Sequence, residues 1–198
     1  MALVLVFVMK SLAPQVLDFW FGESAERGKA QPRWFEKDAR FDAAVAERFG
    51  ALHADMRQGR HRDWLEEPHA CLARIIVLDQ FPRHIYRGTA RAFASDALAL
   101  EAAKHLVGKG WDRELLPVER QFAYLPFEHS ESLEDQERAC ALCEALNAFP
   151  ETADTHRYAL AHREIIRRFG RFPHRNAALG RASTPEEIEF LKQPGSAF

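Results

Sequence analysis

The chain has no apolar run long enough to cross a bilayer. Its longest, Ala2 to Met9, is followed at once by Lys10, well short of the roughly 20 residues that a spanning helix needs. A secretory signal is not expected either, because the positive charge follows the apolar stretch instead of preceding it, and Pro14 sits beside the only small residue suited to cleavage. Cysteine is scarce and odd in number: Cys71, Cys140 and Cys143 give no disulfide framework and suit a reducing cytoplasm. Cys140 and Cys143 have the spacing of a redox or zinc pair, but with no second pair and a helical surround they read as packing residues. Charge of one sign is not in excess. Twenty-seven Lys and Arg against 29 Asp and Glu leave −2, so no global field draws the protein to nucleic acid or an anionic membrane. No Gly-, Ser- or Pro-rich tract divides the chain. One domain is expected over residues 13–198, with 1–12 as an N-terminal extension.

What is present is ordinary globular material. Apolar residues make up 47% and charged residues 28% of 198, and a chain of this size buries about 70% of its surface. It should therefore fold without metal or disulfide. The periodicity is helical almost throughout. Phe41, Val45, Phe49, Leu52 and Met56 share one face of a helix from Asp38 to Gln58, stopped by Gly59. Pro68 opens a second, with Leu72, Ile75, Ile76 and Asp79 on one side, expected to end near Phe81-Pro82. Ser95 caps a third, which reaches Gly108 and Gly110. Pro117 opens a fourth that Pro126 must kink or end. Ser132 caps a fifth, bearing Gln136, Ala139, Cys140, Cys143 and Leu146, and a sixth runs from Ala153 to Phe169 before Gly170. Thr184-Pro-Glu-Glu187 starts the last by an N-cap, a proline and acids that complement the dipole. Only Leu3 to Val8 has strand-like density. The class is all-α, an array of short antiparallel helical hairpins with no fixed repeat period.

Most charges read as solvated faces, including the acidic fifth and basic sixth helices. Four segments do not. Asp79 lies on an apolar face with Arg83 a turn later, and a carboxylate there must be paired, as a structural clamp or as part of a ligand site. Glu128, His129 and Glu131 follow the Pro126 break, where freed backbone and a His/Glu pair could build a pocket. His162 sits at the edge of a buried stripe, a place more typical of a core histidine than of a ligand. Phe169 to Asn176 gathers Arg171, His174, Arg175 and Asn176 with no acid among them. Such a loop suits a carboxylate or phosphate, or else satisfies helix-end carbonyls and buried acids.

These segments also carry a resemblance. Leu17-Asp-Phe-Trp-Phe-Gly22, Leu78-Asp-Gln-Phe-Pro-Arg83, Phe93-Ala-Ser-Asp96, Tyr124-Leu-Pro-Phe-Glu-His-Ser-Glu131 and Phe169-Gly-Arg-Phe-Pro-His-Arg-Asn176 together resemble the bacterial domain-of-unknown-function family 924, in order, from about residue 14 to 192. The resemblance implies an all-helical fold similar to tetratricopeptide-repeat proteins with degenerate repeats. It implies no activity, substrate or catalytic residue, so function must come from the site itself.

The leading expectation is a binding protein for an anionic small molecule or an acidic peptide end. Arg83, Arg171, Arg175 and Asn176 would grip the anion, with Asp79, His162 and Glu128 nearby and Tyr124, Trp20 and Phe127 as apolar walls. The alternative is an enzyme with His129 or His174 as general acid or base and Glu128 or Asp79 orienting it. No nucleophile elbow, phosphate-cradling glycine loop or His-Glu-x-x-His motif is present to favour it. A metal site from Glu128, His129, Glu131, His162 and His174 lacks a recognised spacing, and no metal or cofactor is expected. A protein-interaction scaffold is the last reading; it would need an exposed apolar groove.

Overall fold

A computed structural model describes residues 12–23 and 26–196. Among these the chain is helical with no strand; residues 1–11 of the N-terminal extension, the strand-like Leu3 to Val8 with them, lie outside, while Leu12 already opens the first helix. The α-helices are α1 (Leu12–Phe21), α2 (Ala39–Arg57), α3 (Pro68–Ile75), α4 (Phe81–Ile85), α5 (Asp96–Gly108), α6 (Pro117–Glu128), α7 (Leu133–Glu144), α8 (Thr155–Phe169), α9 (Asn176–Leu179) and α10 (Pro185–Leu191). Helix α1 packs on α3, α2 on α4, and α3 on α5. Helices α5, α6, α7 and α8 then pack each on the next. No described helix is long and apolar enough to cross a membrane.

Helix α2 follows its sequence closely. Its apolar stripe is buried, and the Asp38 side chain accepts hydrogen bonds from the Arg40 and Phe41 amides at 2.8 and 3.3 Å, filling two of the donors that a helix start leaves open. Rings from α1, α2, α4 and α6 meet at the centre. Phe122 lies 4.8 Å from Trp34 and 5.5 Å from Trp20, and Phe49 stacks 4.8 Å from Phe81. A smaller cluster of Ile165, Ile166 and Phe172, with Phe169 and Phe190 against it, anchors the C-terminal segment.

Pro82, expected near the end of a helix, does not stop it, and Pro126, expected to kink or end another, does not end it. Between α3 and α4 the chain keeps winding through a π-helical stretch, Ile76–Gln80, in which the Phe81 amide closes on the Ile76 carbonyl. The wider turn brings Pro82 into the continuing helix. An α-ladder would pair the Leu78 carbonyl with the N–H that Pro82 lacks, and the Ser95 hydroxyl donates to that carbonyl instead, at 2.7 Å. Ser95 thus starts α5 in position but its side chain makes no cap, and neither does that of Ser132 at α7. Pro126 likewise lies inside α6, which runs on to Glu128. The local penalty of about 3 kcal/mol is offset by burial of Phe122, Tyr124, Leu125 and Phe127, each contributing about 1.5–3 kcal/mol. Glu128 is therefore helical, and His129, the C-cap, closes the ladder on Leu125 O at 2.9 Å.

Candidate functional site

The interior carries a polar centre where six elements meet. The π-helical stretch supplies Asp79, α4 supplies Arg83, and the first residue of α5 is Asp96. The end of α6 gives Glu128 and His129, α8 gives His162, and the 3-10 turn Pro173–Arg175 gives His174 and Arg175. Asp79 has no solvent exposure. Its Oδ2 accepts from Gln80 Nε2 at 2.5 Å, and its Oδ1 lies 2.8 Å from His129 Nδ1 and 3.3 Å from Arg83 Nη1. Burial alone would raise its pKa, but Arg83 and His129 outweigh burial and hold it well below the usual carboxylate range. The clamp expected at Asp79 therefore exists, with an imidazole added. Because ionised Asp79 only accepts, His129 Nδ1 carries the proton, and its Nε2 presents a lone pair with no hydrogen-bond partner among the described residues. Burial, followed by Arg83, pushes the His129 pKa down, so the ring is neutral at pH 7.

Asp96 is the second acid of the centre, and residue patterning had read it only as the neighbour of a helix cap. It takes Arg83 in two hydrogen bonds, 3.0 and 3.1 Å, and lies 3.4 Å from Arg175 Nη1. Phe93 and Phe172 complete the setting, the Arg175 guanidinium lying 4.8 and 4.4 Å from their ring centres. Nothing in the periodicity marks these three.

Arg175 is 7% exposed at its side chain. Nη1 makes both of its hydrogen bonds among the described residues, to Asp96 and to the His129 carbonyl at 3.0 Å. Nε is buried without a partner, and Nη2 has none among the described residues. The Nε–Nη2 edge is the one on which Arg171, Arg87 and Arg167 each hold a carboxylate in this same structure. Burial and the nearby Arg83 lower the Arg175 pKa to about 10, whereas Arg83, facing two acids, is raised.

Glu128 is 1% exposed and burial pushes its pKa up to about 8. Its Oε1 accepts from the Cys143 thiol at 3.4 Å; Oε2 has no hydrogen bond and lies 3.5 Å from His162 Nδ1. His162 Nδ1 donates to the Tyr158 carbonyl at 2.9 Å, and burial lowers that ring to about 3. His174, half-buried 5.5 Å from Phe172, is lowered to about 4 by burial and Arg175. Cys71, Cys140 and Cys143 are buried thiols whose pKa values burial raises, as fits packing residues.

Other expected members lie elsewhere. Arg171 grips Glu187 at 2.6 and 2.8 Å and the Ala182 carbonyl at 2.9 Å. Asn176 donates to Ser183 and Glu187, and Arg181 holds Glu131 at 2.7 and 2.9 Å. This network ties the loop to α10, whose start is a capping box between Thr184 and Glu187. The acids that answer Arg171 and Asn176 stand 16 and 11 residues away, which is why the loop looked free of them. Tyr124 donates to Asp112 at 2.8 Å, Trp20 belongs to the aromatic core, and Phe127 lines a groove with Lys104 and Arg138. Among the described residues no group of three or more His, Cys, Asp or Glu side chains is placed to hold a metal ion.

The fold and this centre define an all-helical protein with a buried Asp–His–Arg cluster. Residues 16–195 match the model of a bacterial protein family of unknown function, DUF924, and the chain belongs to that family. A solved structure, that of protein of unknown function ATU0120 from Agrobacterium tumefaciens, is 41% identical and superposes with a TM-score of 0.82 over 91% of this chain and 97% of that one. No curated protein matches the chain.

Proposed function

We propose that this protein binds a small molecule through a carboxylate or phosphate group seated on the Nε–Nη2 edge of Arg175. The observation that carries the reading is that edge itself: it is planar and bidentate, its Nε is buried, and neither Nε nor Nη2 has a hydrogen-bond partner among the described residues. A buried guanidinium is normally paired, and the planar fork is the group best matched to an oxyanion. Phe93 and Phe172 hold its plane, and Arg83 adds a second positive charge while serving Asp79 and Asp96.

A second reading, general acid-base catalysis on that anion, is favoured by the Asp79–His129 pair. The carboxylate fixes the tautomer, so His129 Nε2 is the ring position able to take a proton, and buried Glu128, protonated at neutral pH, lies beside His162 as a proton store. The scaffold is a helical-hairpin array of the tetratricopeptide type, a single unit over residues 13–198 in the cytoplasm; the helix-on-next-helix packing from α5 to α8 supports the hairpin description.

The experiment is a thermal-shift screen of small carboxylates and phosphates against the wild type, Arg175→Lys and Arg167→Lys. A ligand at 100 times its dissociation constant adds about 2.7 kcal/mol. The proposal expects this gain to vanish in Arg175→Lys, which keeps charge but loses the fork, and to persist in Arg167→Lys, whose partner is exposed Glu164. If no anion raises the melting point, or both variants lose the gain equally, the site is rejected and the interaction scaffold replaces it.

A further inference from the structure

We propose a second anion site, independent of Arg175, in the cavity where the end of α2, the 3-10 turn Arg62–Leu65, α3 and α5 meet, and that it takes a phosphate group. The cavity holds about 90 Å³, the liquid volume of about three waters, enough for one tetrahedral oxyanion. Arg57, Arg62 and Arg74 line it against a single lining carboxylate, Glu101. Arg57 and Arg62 are exposed and make no ion pair among the described residues.

Arg74 is the group that points to a ligand. At 5% exposure it and Arg175 are the buried arginines of the described chain, and it has no carboxylate within ion-pair reach among the described residues. Glu101 and Asp63 act on it only through space, and burial lowers its pKa. Nη1 donates to the Arg60 and His61 carbonyls at 3.4 and 3.2 Å; Nε and Nη2 make no hydrogen bond among the described residues. The loop that supplies those carbonyls contains His61 at φ +57°, the single non-glycine residue with positive φ among the described residues, a conformation ordinary side chains adopt sparingly. A loop held in that form turns two carbonyls onto one end of the Arg74 guanidinium, and Arg74 lines the cavity together with two more arginines, Arg57 and Arg62. A dianion would match three cations and one carboxylate, while a neutral ligand would leave Arg74 as under-compensated as before.

The test is titration of the ¹⁵N-labelled full chain with inorganic phosphate at constant ionic strength, read at the Gly59 and Arg62 amides, which lie on the cavity and away from the 171–176 loop. The wild type should show saturable shifts there. Removing one charge-assisted contact weakens binding by about tenfold, so Arg62→Ala and Arg74→Lys should each raise the dissociation constant by about that factor, and Arg175→Lys should leave it unchanged. Should Arg74→Lys fail to fold, Arg57→Ala with Arg62→Ala carries the test, since both residues are exposed. Glycerol phosphate beside inorganic phosphate separates the sources: tighter binding of the ester assigns the site to a phosphomonoester, and equal or weaker binding assigns it to the free ion. The proposal is overturned if Gly59 and Arg62 do not shift, if chloride shifts them as much, or if Arg57→Ala and Arg62→Ala leave the response intact.

Discussion

Arg171 and Arg175 stand four residues apart in one short loop, and the fold treats them in opposite ways. Arg171, 28% exposed, has both nitrogens of its side-on edge on Glu187. Arg175, 7% exposed, has that same edge empty. Desolvation argues for the reverse, because an exposed guanidinium can be satisfied by water and a buried one cannot. The closed half joins α10 to the body through Glu187, Arg181 and Glu131. The open half stands next to an imidazole whose Nε2 has no hydrogen-bond partner among the described residues, and next to two acids that already hold Arg83, of which Asp96 meets Arg175 only through Nη1. Stability accounts for the first arrangement; the second retains unmet binding capacity inside the protein, and that is where a ligand would contribute most.

The contrast can be broken from either side. Asp79→Ala should have the largest effect, a loss of about 3–5 kcal/mol in urea unfolding, because it strands Arg83 and His129 around a buried hole; a loss below about 0.5 kcal/mol would place Asp79 at the surface. Glu128→Gln should stabilise by about 2–4 kcal/mol at alkaline pH. The sign follows from the raised pKa. Below about 4.5 the carboxyl is protonated folded and unfolded and contributes nothing. Between 4.5 and about 8 the unfolded chain ionises while the folded one resists, so wild-type stability falls relative to the Gln variant, and above that the difference is constant. Denaturation curves for both proteins at pH 4, 6 and 9 check this, and a pH-independent difference would contradict it. Ser95→Ala should cost about 1–3 kcal/mol by leaving the Leu78 carbonyl unmet above Pro82. In the closed half, Thr184→Ala should cost about 1 kcal/mol, the value of one N-cap, with no change in anion binding. The smallest effect is chemical: Cys140 and Cys143 should resist iodoacetamide in the native state and react on unfolding, since burial keeps both as thiols.

Much of this was legible in the sequence because helices announce themselves locally. The α2 stripe, the Gly170 stop, the Thr184 N-cap and the buried position of Asp79 all follow from residues within a few places of each other. Pro82 and Pro126 misled because their effect depends on distant partners: a hydroxyl from Ser95, 17 residues from the carbonyl it serves, and the burial around α6. The site divides in the same way. Asp79, Arg83, Glu128, His129, His162, His174 and Arg175 were singled out as polar residues in apolar or turn-rich settings, and the fold gathers them. Arg171, Asn176 and Tyr124 were expected with them and are satisfied elsewhere, while Asp96, Phe93 and Phe172 stood only within the segments that carry the family resemblance and Arg74 in none of them. A sequence shows which donors lack a nearby acid. It does not show which of them the fold will later supply with one, as it does for Arg171 through Glu187 and does not for the side-on edge of Arg175.

The central claim is that this edge is open, and the most direct measurement follows the arginine Nε–Hε resonances as acetate and inorganic phosphate are titrated at constant ionic strength. The Arg175 signal, assigned by its loss in Arg175→Lys, should move saturably with at least one of the anions, while that of Arg171, already bonded to Glu187, should stay in place. Movement of Arg171 with Arg175 unmoved, or no saturable movement of Arg175, would contradict the account.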